Sequence, residues 1–147
     1  VPGGNEDGSL LATLAHTVGA ETVWMERWEG GDPSKLPGAG DFADLETIVG
    51  AWSEVEERRS RWMSRLSEAR LREEVRYVSV RLGTLERFPL WQTILHLSNH
   101  TTHHRAEACT ALSALGSPVE TVDLIDFMRF LPTGGAGTGD PSSRNPQ

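Results

Sequence analysis

The chain has 147 residues, a formal net charge of −7 at pH 7 and 37% hydrophobic residues. This length favours one domain with its own core, and the acidic balance disfavours a nucleic-acid partner or an anionic membrane surface. The single Cys109 cannot form an internal disulfide, and no apolar run approaches the about 20 residues of a membrane span or the layout of a signal peptide. These features predict a protein of the reducing cytoplasm.

Two helices are predicted in the first half of the chain. Residues 1–8 form a loose segment that we expect to be flexible. Apolar residues then recur at three- and four-residue steps over residues 9–28, with Ser9 as the N-cap. A loop rich in glycine and proline follows, and Asp41 is placed to cap the next helix. That helix is long and amphipathic over residues 45–66, and its tryptophans and methionine at helical spacing indicate core packing.

The second half predicts a connector and two more helices. Residues 75–86 alternate loosely between apolar and polar and contain a glycine turn, which indicates a short hairpin or extended connector. Pro89 suits the first turn of a third long helix that stops at Gly116, and residues 123–131 predict one short further helix. We therefore place the domain at residues 9–131, followed by a disordered Gly/Pro-rich tail at residues 132–147.

Four of the five histidines lie between positions 96 and 104. On a helix His96, His100 and His104 form one row, with His103 to one side, and two imidazoles four residues apart can meet one metal ion at about 2.0–2.1 Å. A third ligand must come from elsewhere, and His16 is the only other histidine. A buried histidine is more often a hydrogen-bonded core residue than a metal ligand, and two histidines four residues apart also occur by chance. Imidazoles crowded on one face are nevertheless a poor choice for a core and would repel one another if protonated, so they indicate a cation bound among them.

Three imidazoles would leave a coordination position open, which is typical of catalytic rather than structural zinc sites. An ion there could lower the pKa of bound water to about 7 or bind a thiolate. A zincin-type peptidase is disfavoured, because no glutamate lies between the two helical histidines. A general base could come from Glu107, Glu21 or Asp126, although each also suits a surface charge or a cap. Cys109 is turned away from the histidine face and is interpreted as a packed thiol.

Three segments carry a resemblance to a known family. Residues 95–105, LHLSNHTTHHR, resemble the hallmark of the DinB/YfiT-like metalloenzymes; residues 123–127, DLIDF, resemble their closing motif; and residues 14–16, LAH, resemble their earlier metal helix. The likeness covers about residues 9–131. It implies an all-α, up-and-down four-helix bundle. We expect the family's first long helix to lie upstream of this segment, or a partner chain to replace it, because residues 1–8 cannot supply it and an apolar groove would otherwise be exposed.

The resemblance also implies the ligands and the chemistry. It assigns the metal to His16, His100 and His104, with zinc as the first choice and nickel, iron or manganese as alternatives. It gives His96 and His103 roles beside the ligands, with Asn99 and Arg105 in support. The implied function is a metal-dependent hydrolase, or a transferase that activates a low-molecular-weight thiol, acting on a small-molecule substrate.

Two other functions stay open from the residues alone. One is a non-enzymatic metal-binding bundle, such as a stress-response accessory protein. The other is a helical interaction module whose histidines bind nothing or bind haem. We also expect self-association through helix faces, as a homodimer.

Overall fold

The computed structural model describes residues 9–119 and 123–130 and is mostly helical, with one two-stranded sheet. Its elements are α1 (Leu10–Trp28), α2 (Leu45–Met63), α3 (Glu68–Arg72), β1 (Glu74–Val78), β2 (Leu85–Pro89), α4 (Leu90–Ala114) and α5 (Leu124–Phe130). The predicted flexible segment and the predicted tail lie outside the described residues. Within the described part, no helix is both long enough and apolar enough to span a membrane.

Helix α1 is the central element, and it packs against both α2 and α4. It begins as predicted, because the Ser9 side chain accepts a hydrogen bond from the Ala12 backbone N–H at 3.2 Å. Ala15, Val18 and Met25 are fully buried. Burying a side chain such as that of Val18 or Met25 stabilises a fold by about 1.5–3 kcal/mol. The helix is therefore held by core packing on several sides.

The start of α2 corrects the predicted cap. The N-cap is Asp44, whose carboxylate accepts from the Thr47 N–H at 2.9 Å, while the Thr47 hydroxyl accepts from the Asp44 N–H at 3.2 Å. Asp41 instead closes a 3-10 turn at Ala39–Asp41, where it accepts from the Gly38 N–H and pairs with Lys35. The reciprocal pair at three-residue spacing satisfies two backbone N–H groups, so it fixes the helix start.

The predicted hairpin is confirmed. Strands β1 and β2 pair antiparallel from Glu74 opposite Pro89 to Val78 opposite Leu85, and Gly83 in the turn has a φ of 68°. Helix α3, which precedes the hairpin, was not predicted, because its five residues are too few to show a helical period. Pro89 ends β2 and directly precedes α4, so the strand continues into the helix without a loop.

The ends of the other helices agree closely with the predictions. Helix α4 stops at Ala114, just before Gly116 with its φ of 79°, and α5 lies within the predicted residues 123–131. Helix α2 ends at Met63, three residues earlier than predicted. The tryptophans of α2 pack against the core as interpreted, and Trp62 stacks on Trp28 with ring centroids 5.2 Å apart. The interpretation was wrong for Met63, which is 48% exposed at the end of the helix.

A close approach between α1 and the loop that follows it occurs at Gly19. A Cβ atom added there would lie 2.3 Å from the carbonyl oxygen of Pro37, much closer than any real contact. We predict that Gly19→Ala lowers the free energy of unfolding by about 1–3 kcal/mol, because the loop must move away from the helix.

The matched control is Gly50→Ala within α2, where an added Cβ meets no atom within 4 Å beyond the neighbouring backbone of its own helix. It should raise the free energy of unfolding by about 0.5–1 kcal/mol, through helix propensity alone. Urea denaturation measures both changes. Equal effects of the two alanines would contradict the close approach at Gly19.

Candidate metal centre

Helices α1 and α4 run antiparallel and are tied together near one end. The buried Trp28 indole N–H donates to the hydroxyl of Thr93 at 2.9 Å, and that hydroxyl in turn donates to the Leu90 carbonyl at 2.7 Å. Twelve residues before Trp28, about 18 Å along the helix, His16 meets His100 of α4. The Trp28 contact therefore sets the register in which the histidines of the two helices face each other.

The three predicted ligand residues come together in the structure. Nε2 of His100 lies 3.3 Å from Nε2 of His16 and 3.3 Å from Nε2 of His104. One ligand atom of each of the three rings lies within 4.8 Å of the others, a group that could hold a metal ion. Tetrahedral zinc with bonds of about 2.0–2.1 Å places neighbouring ligand atoms about 3.3–3.4 Å apart. The spacing of the rings therefore fits such an ion.

The cluster is electrostatically suited to a cation. Burial, and after it the neighbouring imidazoles with His104 first, lower the pKa of His100 to about 4. Burial also lowers the pKa of His16, with His104 acting in the same direction and Glu107 opposing it. These two rings are therefore neutral at neutral pH, and a neutral imidazole has the lone pair that a metal ion needs.

One buried atom of the cluster lacks a partner. Nδ1 of His100 is inaccessible and forms no hydrogen bond with any described residue. Its Nε2 meanwhile faces two other imidazole nitrogens rather than a carbonyl or a carboxylate. A histidine held only for packing is expected to have a protein hydrogen-bond partner. The arrangement is instead that of rings whose nitrogens converge on a shared point.

Glu107 is joined to two of the histidines. Nδ1 of His104 donates to its carboxylate at 2.7 Å, and Nε2 of His103 lies 3.1 Å from the other oxygen. The hydrogen bond from His104 lowers the pKa of Glu107. Because its Nδ1–H donates to this carboxylate, His104 directs the lone pair of its Nε2 towards the cluster. Sequence analysis considered Glu107 as a base, a surface charge or a cap, although its position three residues after His104 already predicts this contact.

The other residues expected beside the ligands differ in position. The ring centroid of His96 lies 5.9 Å from that of His100, so His96 flanks the cluster. His103 reaches Glu107 but is itself exposed. Asn99 and Arg105 are exposed on α4, and among the described residues neither is hydrogen-bonded to the cluster. Cys109 is a free, half-buried thiol.

The remaining base candidates lie apart from Glu107. Glu21 is buried on α1 and forms an ion pair with Arg59 of α2. Burial raises the pKa of Glu21, and Arg59 opposes that shift. The side chain of Asp126 lies outside what the structure describes. Of the three, the described part of the structure joins only Glu107 to the histidines.

An aromatic wall beside His96 was missed by sequence analysis. The Arg27 guanidinium carbon lies 4.8 Å from the ring centroid of Trp24 and 4.1 Å from that of Tyr77. Trp24 also meets His96 edge to face at 5.4 Å. Arg27 is held there by a hydrogen bond to the Val78 carbonyl at 3.3 Å. The wall joins α1 to the hairpin, and only the three-dimensional pairing of those elements reveals it.

Comparison with known proteins identifies one family. The model of the DinB family matches residues 3–134, which is most of the chain. No curated protein and no solved structure matches the chain.

We predict that Thr93→Val lowers the free energy of unfolding by about 1–3 kcal/mol. The valine removes the hydroxyl that accepts from the buried Trp28 indole N–H without changing the side-chain volume much. Thr93→Ser is the control, because it keeps the hydroxyl and loses one methyl group, worth about 0.8 kcal/mol. Urea denaturation compares the two variants, and a valine variant as stable as the serine variant would contradict this role of Thr93.

Proposed function

Because this chain belongs to the DinB family, we propose that it is a metal-dependent enzyme with a divalent ion held by His16, His100 and His104. The observation that carries this proposal is the convergence of three Nε2 atoms, with His100 3.3 Å from each of the other two. The lowered pKa values of His16 and His100 support it, because both rings are neutral when the ion is to be bound.

The proposed substrate is a small molecule, and the reaction is hydrolysis or the transfer of a low-molecular-weight thiol. Bound to three imidazoles, a divalent ion would supply a Lewis acid with a coordination position open to water or a thiolate. Zinc suits the spacing and the donor set best, with nickel, iron or manganese as alternatives. His96, which is exposed and flanks His100, would lie beside the bound substrate.

In this proposal the chain's own residues orient the ligands. Glu107 accepts the Nδ1 proton of His104 and keeps that ring in one tautomer and one orientation. Because the same carboxylate also meets His103, it is engaged by two rings and serves better as a positioning group than as a free base. The proton acceptor for water or thiol is then solvent or the substrate itself.

A second candidate is a non-enzymatic role in which the ion only fixes the fold. It is favoured by the origin of the ligands, because His16 belongs to α1 while His100 and His104 belong to α4. An ion bound by all three would crosslink these two helices and stabilise the folded state by its binding free energy. Such a site would need no substrate and no open position.

The architecture proposed with this function is the up-and-down four-helix bundle of the family, assembled as a homodimer. Helices α1, α2 and α4 would be three of its members. A cavity of about 320 Å³ lies between them, lined among others by Trp62, Ile94 and Leu97. Val49 of α2 and Leu95 of α4 are more than half exposed. Apolar side chains in such positions favour a further helix or a second copy as their cover.

Removal of a ligand should abolish both metal binding and turnover. We expect one zinc ion per chain for the unaltered protein and for His103→Ala, measured by elemental analysis after gel filtration. His100→Ala and His104→Ala should lose the ion, because two imidazoles are too few for a tight site. Activity is measured with ester substrates and, separately, with thiols plus electrophilic acceptors.

The results separate the candidates. Turnover by the zinc-loaded protein that both ligand variants lose supports the enzyme. Zinc that raises the melting temperature without any turnover supports the structural role instead. Retention of the ion by both ligand variants would contradict the proposed site itself.

Replacing the orienting carboxylate should weaken the site without destroying it. We predict that Glu107→Gln lowers zinc affinity about 10–100-fold, because His104 loses its charged hydrogen-bond acceptor. His103→Gln is the matched control, since His103 meets the same carboxylate but is not one of the three ligands. Competition with a chromophoric chelator measures both affinities. Equal losses in the two variants would contradict the specific role of the His104 contact.

A further inference from the structure

The positive charge of this acidic chain is concentrated in one stretch. Residues 58–87 contain nine arginines and four glutamates, a net formal charge of +5, whereas the whole chain carries −7. The stretch comprises the second half of α2, the short α3 and the hairpin. The molecule therefore has a basic region on an acidic body.

A cavity of about 640 Å³ opens in this basic region. Four of the arginines line it: Arg58 and Arg61 from α2, Arg65 from the turn after α2, and Arg70 from α3. Trp62 and Leu66 add a half-buried apolar surface to the same wall. The volume lies within the range of about 300–1,000 Å³ that is typical of small-molecule sites.

The acids around this cavity leave part of its charge unmatched. Arg58 pairs with Glu29, and Arg70 pairs with Glu73, so two of the four arginines are neutralised within the wall. Among the described residues, the acidic partner of Arg61 is Glu57, at 3.4 Å, and both of these side chains are more than 60% exposed. An exposed ion pair of this kind contributes little to stability, and another anion can readily take the place of its carboxylate.

Arg65 has no acidic partner in the described part of the chain, and its side chain borders the cavity. Arg61 lies in the last turn of α2 and Arg65 in the turn that follows it, and both side chains line the same cavity. Two guanidinium groups placed in this way match the oxygen atoms of phosphate or carboxylate groups, each of which can accept paired N–H bonds.

We propose that this arginine cavity is a binding site for a small organic anion with two negative charges, from phosphate or carboxylate groups, on a compact apolar body. Arg61 and Arg65 bind the charged groups, and Trp62 and Leu66 contact the apolar body. The net charge of −7 favours a small ligand over a nucleic acid.

This site is separate from the histidine cluster. Glu29, on the cavity wall, lies thirteen residues after His16, or about 20 Å along α1 and its C-terminal end. A small molecule cannot span that distance while filling the cavity. The anion is therefore a second ligand, and its binding does not depend on the metal or on the proposed reaction.

The test is a calorimetric titration of the full chain at low ionic strength with phenyl phosphate and with isophthalate. The two probes distinguish phosphate from carboxylate as the preferred group. We expect saturable binding of at least one probe at one site per chain. The same titration of His100→Ala should give an unchanged affinity, which separates this site from the proposed metal site.

The key variant is the double substitution Arg61→Gln with Arg65→Gln, which should lower the affinity for the preferred probe by at least about tenfold. The matched control is Arg81→Gln with Arg87→Gln, two exposed arginines of the same basic stretch that do not line the cavity. It carries the same change in net charge and should bind as tightly as the unaltered protein. Circular dichroism melts check that both double variants are folded.

Three results would overturn the proposal. The first is no saturable binding of either probe by the unaltered protein. The second is an equal loss in the two double variants, which would mean a response to net charge alone. The third is tighter binding of a single-stranded oligothymidylate than of either probe, which would make this region a nucleic-acid surface.

Discussion

The packing of α1 against α4 is the contact on which the rest of the structure depends. Both helices are long enough to make contacts from Trp28 and Thr93 at one end to His16 and His100 farther along. A shift by one residue along a helix turns each side chain by about 100°. The imidazole nitrogens therefore meet only in one register, and buried hydrogen bonds and core packing along the same interface maintain it.

That interface also explains the character of the histidine cluster. Side chains along α1 are buried on several sides, so His16 is partly removed from water together with its two neighbours on α4. Desolvation disfavours protonated imidazoles, and close packing of three of them adds mutual repulsion. Neutral nitrogens at short range are thus a consequence of the packing, and Glu107 then determines how one of them is oriented.

Patterns within single elements predicted much of the fold, and pairings between elements were harder to predict. Helix α1 and the hairpin were predicted correctly, because periodicity, caps and turn glycines are local signals. Asp41 and Asp44 both precede α2, and only the reciprocal contact with Thr47 identifies Asp44 as the N-cap. The histidine triplet followed from its spacing together with a family resemblance. The wall of Trp24, Arg27 and Tyr77 could not be predicted, because it needs the hairpin to fold back on α1.

The direct passage from β2 into α4 at Pro89 has a consequence for how the chain can vary in length. A residue inserted at that junction would turn α4 relative to the hairpin and carry His100 and His104 off the interface. The turn around Gly83 has no such constraint, since it lies at the far end of the two strands. Evolution can therefore lengthen the hairpin tip freely, while the junction must keep its residue count.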